Sequence, residues 1–176
     1  SLPKSVALVV SVALMTAGIA VVAATPAAAA APDATLSANR SSMWQTNGDT
    51  ETLAAGGGRL YAGGRFTRVR PPGAAAGTSE TTRTYLAAFS TSTGALITGF
   101  NVTLNGRVRA VRLSPDGTRL YIGGDFTTVN GVSRTRFAAV NPTTGALLTA
   151  FTANSNGAVT TIAAGSTAVN VGGDST

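Results

Sequence analysis

An eleven-residue stretch occurs twice in this chain, as RLYAGGRFTRV from Arg59 to Val69 and as RLYIGGDFTTV from Arg119 to Val129, identical at 8 of 11 positions. A shorter relative, AVNVGGDST, runs from Ala168 to Thr176. β-forming residues that lead into Gly-Gly and are followed by Phe describe a strand, its exit and a core plug. A module reused along one chain restricts the architectures open to it more than any other feature here.

The rest of the repeat keeps step with that stretch. LAAFSTSTGALITGF (Leu86 to Phe100) returns as FAAVNPTTGALLTAF (Phe137 to Phe151), 51 residues later, and the Asn-Gly pair at Asn105 returns at Asn156 with the same offset. The Gly-Gly pairs are 60 and 49 residues apart, and both departures fall in polar, Gly- and Pro-containing stretches where loops absorb length. The units are therefore 47–104, 105–155 and a shorter one at 156–176, each opening on Asn-Gly.

Within the second unit four strands are expected: Arg107 to Leu113, Arg119 to Gly124, Thr135 to Asn141 and Ala146 to Phe151. Ser-Pro-Asp-Gly and Pro-Thr-Thr-Gly supply turns, and a loop through Asn130-Gly131 joins the second strand to the third. No 3.6-residue apolar period occurs after Ala31, so the fold class is all-β. Four strands per unit of about fifty residues is the blade of a β-propeller. A β-helix would use shorter coils, and a sandwich would not repeat in sequence. The expectation is two complete four-stranded blades and the start of a third. A ring of four or more such blades needs at least about two hundred residues, so the chain reads as the N-terminal part of a longer protein.

Residues 1–30 read as an export signal. Lys4 precedes an apolar run from Val6 to Ala24, Pro26 breaks it, and Ala27 to Ala31 offers small residues for cleavage after Ala30. An uncleaved membrane anchor is the competing reading, since the run is just long enough to span a bilayer. Its Ala content and the lack of a following Lys/Arg cluster favour the signal. Residues 31–46 form a lead-in whose Trp44, the chain's single Trp, is expected to plug the end of a β core.

Leu120 to Phe151 resembles the delta-60 repeat, a bacterial propeller repeat of unassigned function, through its GG-x-F and TGAL elements. LYAGGRFTRV with YLAAFSTSTGAL looks like a variant opening blade, and SPDGTRLYIGG is also similar to the YVTN type of propeller repeat. The likeness covers about Leu53 to Thr176. It implies an exported protein, sometimes joined to polycystic-kidney-disease-type or carbohydrate-binding modules, and no catalytic residue. Arg65 stands where the repeat has Asp125 and Asp174.

Chemistry-bearing residues are sparse. With no Cys and no His there is no thiol nucleophile, thiolate metal site or imidazole base. One Asp per unit beside glycines supplies too few oxygens for calcium, and Asp125 and Asp174 are expected to satisfy backbone N–H groups instead. Gly56-Gly57-Gly58 lacks the Lys and helix of a phosphate loop. Asn39 and Asn101 begin three-residue glycosylation sequons, and the seven acids form no recurring pair of the kind glycoside hydrolysis needs. No cofactor is expected, and no nucleic-acid partner. The +6 net charge rests almost wholly on arginine. Placing the loops of an up-and-down blade puts Arg68, Arg70, Arg83, Arg107 and Arg134 on one rim with the Asn-Gly loops and the insertion Pro71 to Glu80. That rim is the expected binding surface, for an anionic cell-wall polymer, a carbohydrate or a protein. The expected function is a non-catalytic, exported binding module. The alternative is the N-terminal part of a secreted propeller enzyme whose catalytic residues follow residue 176.

Overall fold

Strands form at the first three of the four apolar segments in each complete unit. The computed structural model describes residues 43–174, so the expected export signal at 1–30 and most of the lead-in lie outside the described residues. The order is β1 (Gln45–Thr46), β2 (Thr50–Gly56), β3 (Arg59–Gly64), β4 (Arg68–Arg70), β5 (Thr81–Thr82), β6 (Leu86–Ser90), β7 (Val108–Leu113) and β8 (Leu120–Gly124). There follow β9 (Thr128–Val129), β10 (Val132–Ser133), β11 (Phe137–Val140), β12 (Val159–Ala164) and β13 (Val169–Gly173). The described residues are all-β, in several small antiparallel sheets that close no barrel.

Three arrangements carry the fold: a first sheet β2-β3-β6, a second sheet β7-β8-β11 and a hairpin β12-β13. Their registers coincide. Thr50 faces Gly64 and Thr52 faces Gly63, Val108 faces Gly124 and Ala110 faces Gly123, and Val159 faces Gly173 and Thr161 faces Gly172. Each first strand thus carries one extra residue opposite Gly-Gly, a bulge that bends it at its start.

The expected fourth strand, Ala146 to Phe151, is not formed. Its pairing is reduced to the bridge Val140↔Leu147, as Leu96 is reduced to a bridge with Phe89 in the first sheet. The chain then turns, Phe151 N–H donating to the Leu148 carbonyl at 3.0 Å, which carries the Phe151 ring onto Tyr121 and Phe137. Aromatic burial wins over continued pairing. The expected loop through Asn130-Gly131 is itself a hairpin, β9-β10, with a two-residue turn at positive φ (49° and 79°). Its counterpart in the first unit is β4-β5, with the insertion at its tip, and β1 adds a further strand beside β4.

Packing repeats as well. The main core lies between the two sheets, with Tyr61, Leu86, Phe100 and Val102 against Val108, Leu120, Ile122 and Phe126. A Cβ on Gly63 would stand 2.6 Å from Cγ1 of Val108, so the missing side chain is what lets the second sheet approach. Gly123 makes the same room for Val159 of the next hairpin. Leu120, Ile122 and Val140 are fully buried in the main core. Their counterparts Leu60, Ala62 and Phe89 line an apolar groove of about 270 Å³ with Trp44 and the exposed Leu53. Trp44 packs on the cluster of Ala62, Phe66, Val69, Ala87, Phe89 and Leu96, as a plug should.

Candidate functional site

The first strands β2, β7 and β12 run side by side, and their C-terminal ends converge. Between them opens a cleft of about 540 Å³ lined by Leu53, Ala54 and Ala55 of β2, Arg112 and Leu113 of β7, Ser114, Pro115, and Ala164 of β12. A neighbouring cleft of about 310 Å³ lies between the turn Ser114–Arg119 and Gly165-Ser166, with Tyr121 at its side. Volumes of this size suit a small ligand or a segment of a polymer.

The wall between the clefts is a cross-braced turn. The Asp116 carboxylate accepts from Ser114 Oγ, from Thr118 N–H at 3.0 Å and from Thr118 Oγ1 at 2.9 Å. Ser114 Oγ in turn accepts from Arg119 N–H at 3.0 Å. Those hydrogen bonds, that from Ser114 first, hold the carboxyl down at about 2, so it is ionised at any ordinary pH.

At the opposite ends of these strands stand Asn47-Gly48 and Asn105-Gly106, which are clamps and not free loops. Asn105 Oδ1 accepts from Thr127 N–H (2.8 Å) and Thr128 N–H (3.0 Å), and its Nδ2 donates to Thr127 Oγ1 at 2.7 Å. Asn47 repeats the clamp on Thr67 and Arg68.

The arginines expected to form a binding rim are gathered at this end, but each is engaged within the fold. Arg83 is buried, donating to the carbonyls of Thr82 and Thr98 at 2.8 and 3.1 Å. Arg134, its counterpart, donates to those of Ser133 and Thr149. Both hold the turn that replaces the fourth strand. Arg70 clasps Gln45 Oε1 through two nitrogens, at 3.0 and 2.6 Å. Arg68 is largely exposed and lies 3.8 Å from Glu80, the last residue of the insertion before β5. Arg107 pairs with Asp125 and, at 3.4 Å, with Glu51 of the first sheet.

That last group is a five-membered ion network in which Arg65 pairs with Glu51 at 2.9 Å and Arg109 with Asp125 at 3.0 Å. The pairs Glu51–Arg65 and Arg109–Asp125 occupy matching positions in the two sheets with their signs reversed, and Arg107 links them. The Asp125 carboxylate therefore pairs with guanidinium groups, while its backbone N–H bonds to the Arg107 carbonyl. The expectation that this carboxylate satisfies backbone N–H groups is corrected accordingly.

Three further arginines were not singled out by the sequence reading, and they stand at the cleft end: Arg59 at the start of β3, Arg119 at the turn that precedes β8, and Arg112 near the end of β7. None of the three side chains forms a hydrogen bond or ion pair with another described residue, and Nη1 of Arg59 is enclosed without an acceptor. Arg119 feels the nearby Asp116 charge without pairing to it. The signal was present in the sequence as cations beside turns whose only acid, Asp116, has Ser and Thr neighbours ready to bind it.

Among the described residues no three His, Cys, Asp or Glu side chains gather as a metal site, and no helix is long and apolar enough to cross a membrane. No protein-family model matches the chain, and neither a curated protein nor a solved structure matches it.

Proposed function

We propose that the chain is an exported, non-catalytic binding module built from β-propeller blades of the delta-60 type, with its ligand face at the cleft where the first strands end. One observation carries the blade reading. The same face-to-back interface occurs twice, with Gly63 received by Val108 and Gly123 by Val159. Identical serial contacts between sheets whose first strands converge are how propeller blades are arranged around an axis. The apolar Leu60, Ala62 and Phe89 face is then the side on which a further blade of the ring would pack. Export is supported by the Lys4 and Val6 to Ala24 leader pattern.

The binding role rests on what the carboxylates do. Glu51, Glu80 and Asp125 each pair with a guanidinium group, and Asp116 accepts from Ser114 and Thr118, so these four carboxylates are engaged within the fold. The test is retention of the labelled full chain on isolated cell-wall material, followed with an assay for released sugars or phosphate. Retention without release is expected. Release proportional to protein would favour the secreted-enzyme alternative, and absence of retention would remove the binding role on the wall.

A further inference from the structure

From the division of arginines between engaged and unengaged, we infer that the ligand of the cleft is an oligoanion bearing carboxylate or phosphate groups, held by Arg112 and Arg119 with Arg59 adding to the field. This rests on the binding-module reading and moves anion recognition to the opposite end from the rim that the sequence indicates. The eight described arginines at the Asn-Gly end, Arg136 among them through the Asn156 carbonyl, all have acceptors inside the fold. Arg65, Arg68, Arg107 and Arg109 pair with carboxylates, which compensates their charge, and Arg70, Arg83, Arg134 and Arg136 have guanidinium donors tied to neutral oxygens of the fold. Arg112 and Arg119 keep both, and each lines a cleft, Arg112 the larger and Arg119 the neighbouring one.

The surroundings favour an anion over a neutral ligand. The larger cleft has no carboxylate in its lining, and Arg112 stands there among the alkyl groups of Leu53, Ala54, Ala55, Leu113 and Ala164. Among the described residues, Asp116 is the one carboxylate that lines either cleft. Its oxygens accept from Ser114 and Thr118, which draws its charge toward the turn and leaves Arg119 unpaired. Two cations on either side of the Ser114–Pro115 wall select a ligand with at least two anionic groups. Planar guanidinium matches carboxylate and phosphate alike, so the two sources are separated by experiment.

Isothermal titration of the full chain with linear tripolyphosphate and with tri-galacturonate, in low and raised sodium chloride, tests the inference. Binding of at least one probe is expected, weakening with salt. Arg112→Ser and Arg119→Ser should each weaken it by about tenfold, Arg112→Lys by less, and Arg68→Ser should leave it unchanged. The stronger probe names the group recognised. No binding of either probe, or binding indifferent to Arg112→Ser and Arg119→Ser, overturns the inference. Wall retention of the double variant equal to that of the parent also overturns it while leaving the binding-module reading in place, whereas loss of all wall retention in the parent chain defeats that reading itself.

Discussion

The hydroxyl of Tyr61 donates to the backbone carbonyl of Pro142, 81 positions away, at 2.8 Å in a buried setting. The bond fastens the inner face of the first sheet to the turn after the third strand of the second. Burial raises the phenol above its ordinary value, which favours the protonated form that donates this bond. Tyr61→Phe keeps the edge-on contact with Phe100 and strands the carbonyl. It is expected to cost about 1–2 kcal/mol in urea unfolding. No measurable loss would mean that water replaces the hydroxyl.

The Asn105 clamp predicts a graded series. Asn105→Ala removes an acceptor for two backbone N–H groups and a donor to Thr127, and should destabilise by about 2 kcal/mol. Asn105→Asp keeps the acceptors and should cost less than half as much at neutral pH. Equal losses for the two would show that the donor to Thr127 matters more than the paired N–H groups.

Gly63 and Val108 should behave as one packing unit. Gly63→Ala forces a methyl against Val108 and Thr52 and should cost about 1–3 kcal/mol. In the Val108→Ala background the same change should cost at least about 1 kcal/mol less. Additive losses in this double-mutant cycle would indicate that the clash is relieved elsewhere.

Asp116 makes stability depend on acid pH. Its folded value, about 2, lies below the unfolded 3.8, so between them the unfolded chain binds more protons. The contribution is present above about pH 4 and is lost as pH falls through 2. A stability–pH profile should slope less steeply across that window in Asp116→Asn than in the parent. Identical slopes would remove the turn as a source of acid sensitivity.

If the leader is a signal peptide, intact-mass measurement of exported protein should give a start within a few residues of Ala31. An unprocessed leader recovered with membranes would favour the anchor alternative.

The first three strands of the unit were legible because their apolar residues face neighbouring sheets on both sides. The expected Arg107 to Leu113 and Arg119 to Gly124 differ from β7 and β8 by one residue at the start. The fourth was not legible, since Leu147 to Phe151 has strand-forming residues and only the distant Tyr121 and Phe137 rings decide that the chain turns. The small hairpin β9-β10 was hidden by its two-residue strands, although its Asn130-Gly131 turn was in view. The candidate site was misplaced for a related reason. Whether an arginine is engaged depends on carbonyls such as Thr98 and Thr149, or on Glu51 in another sheet, and none of these is a sequence neighbour.

The reversed ion pairs have a consequence for how such a chain can be rearranged. A crossover that set a second copy of the first unit behind itself would put Asp49 where Arg107 stands, beside Glu51, carboxylate against carboxylate. One that set the second unit in front of itself would put Arg109 in the place of Glu51, facing Arg107. Either product juxtaposes like charges at a half-covered junction, so each unit carries in its polarity an address that admits one neighbour and resists its own duplicate.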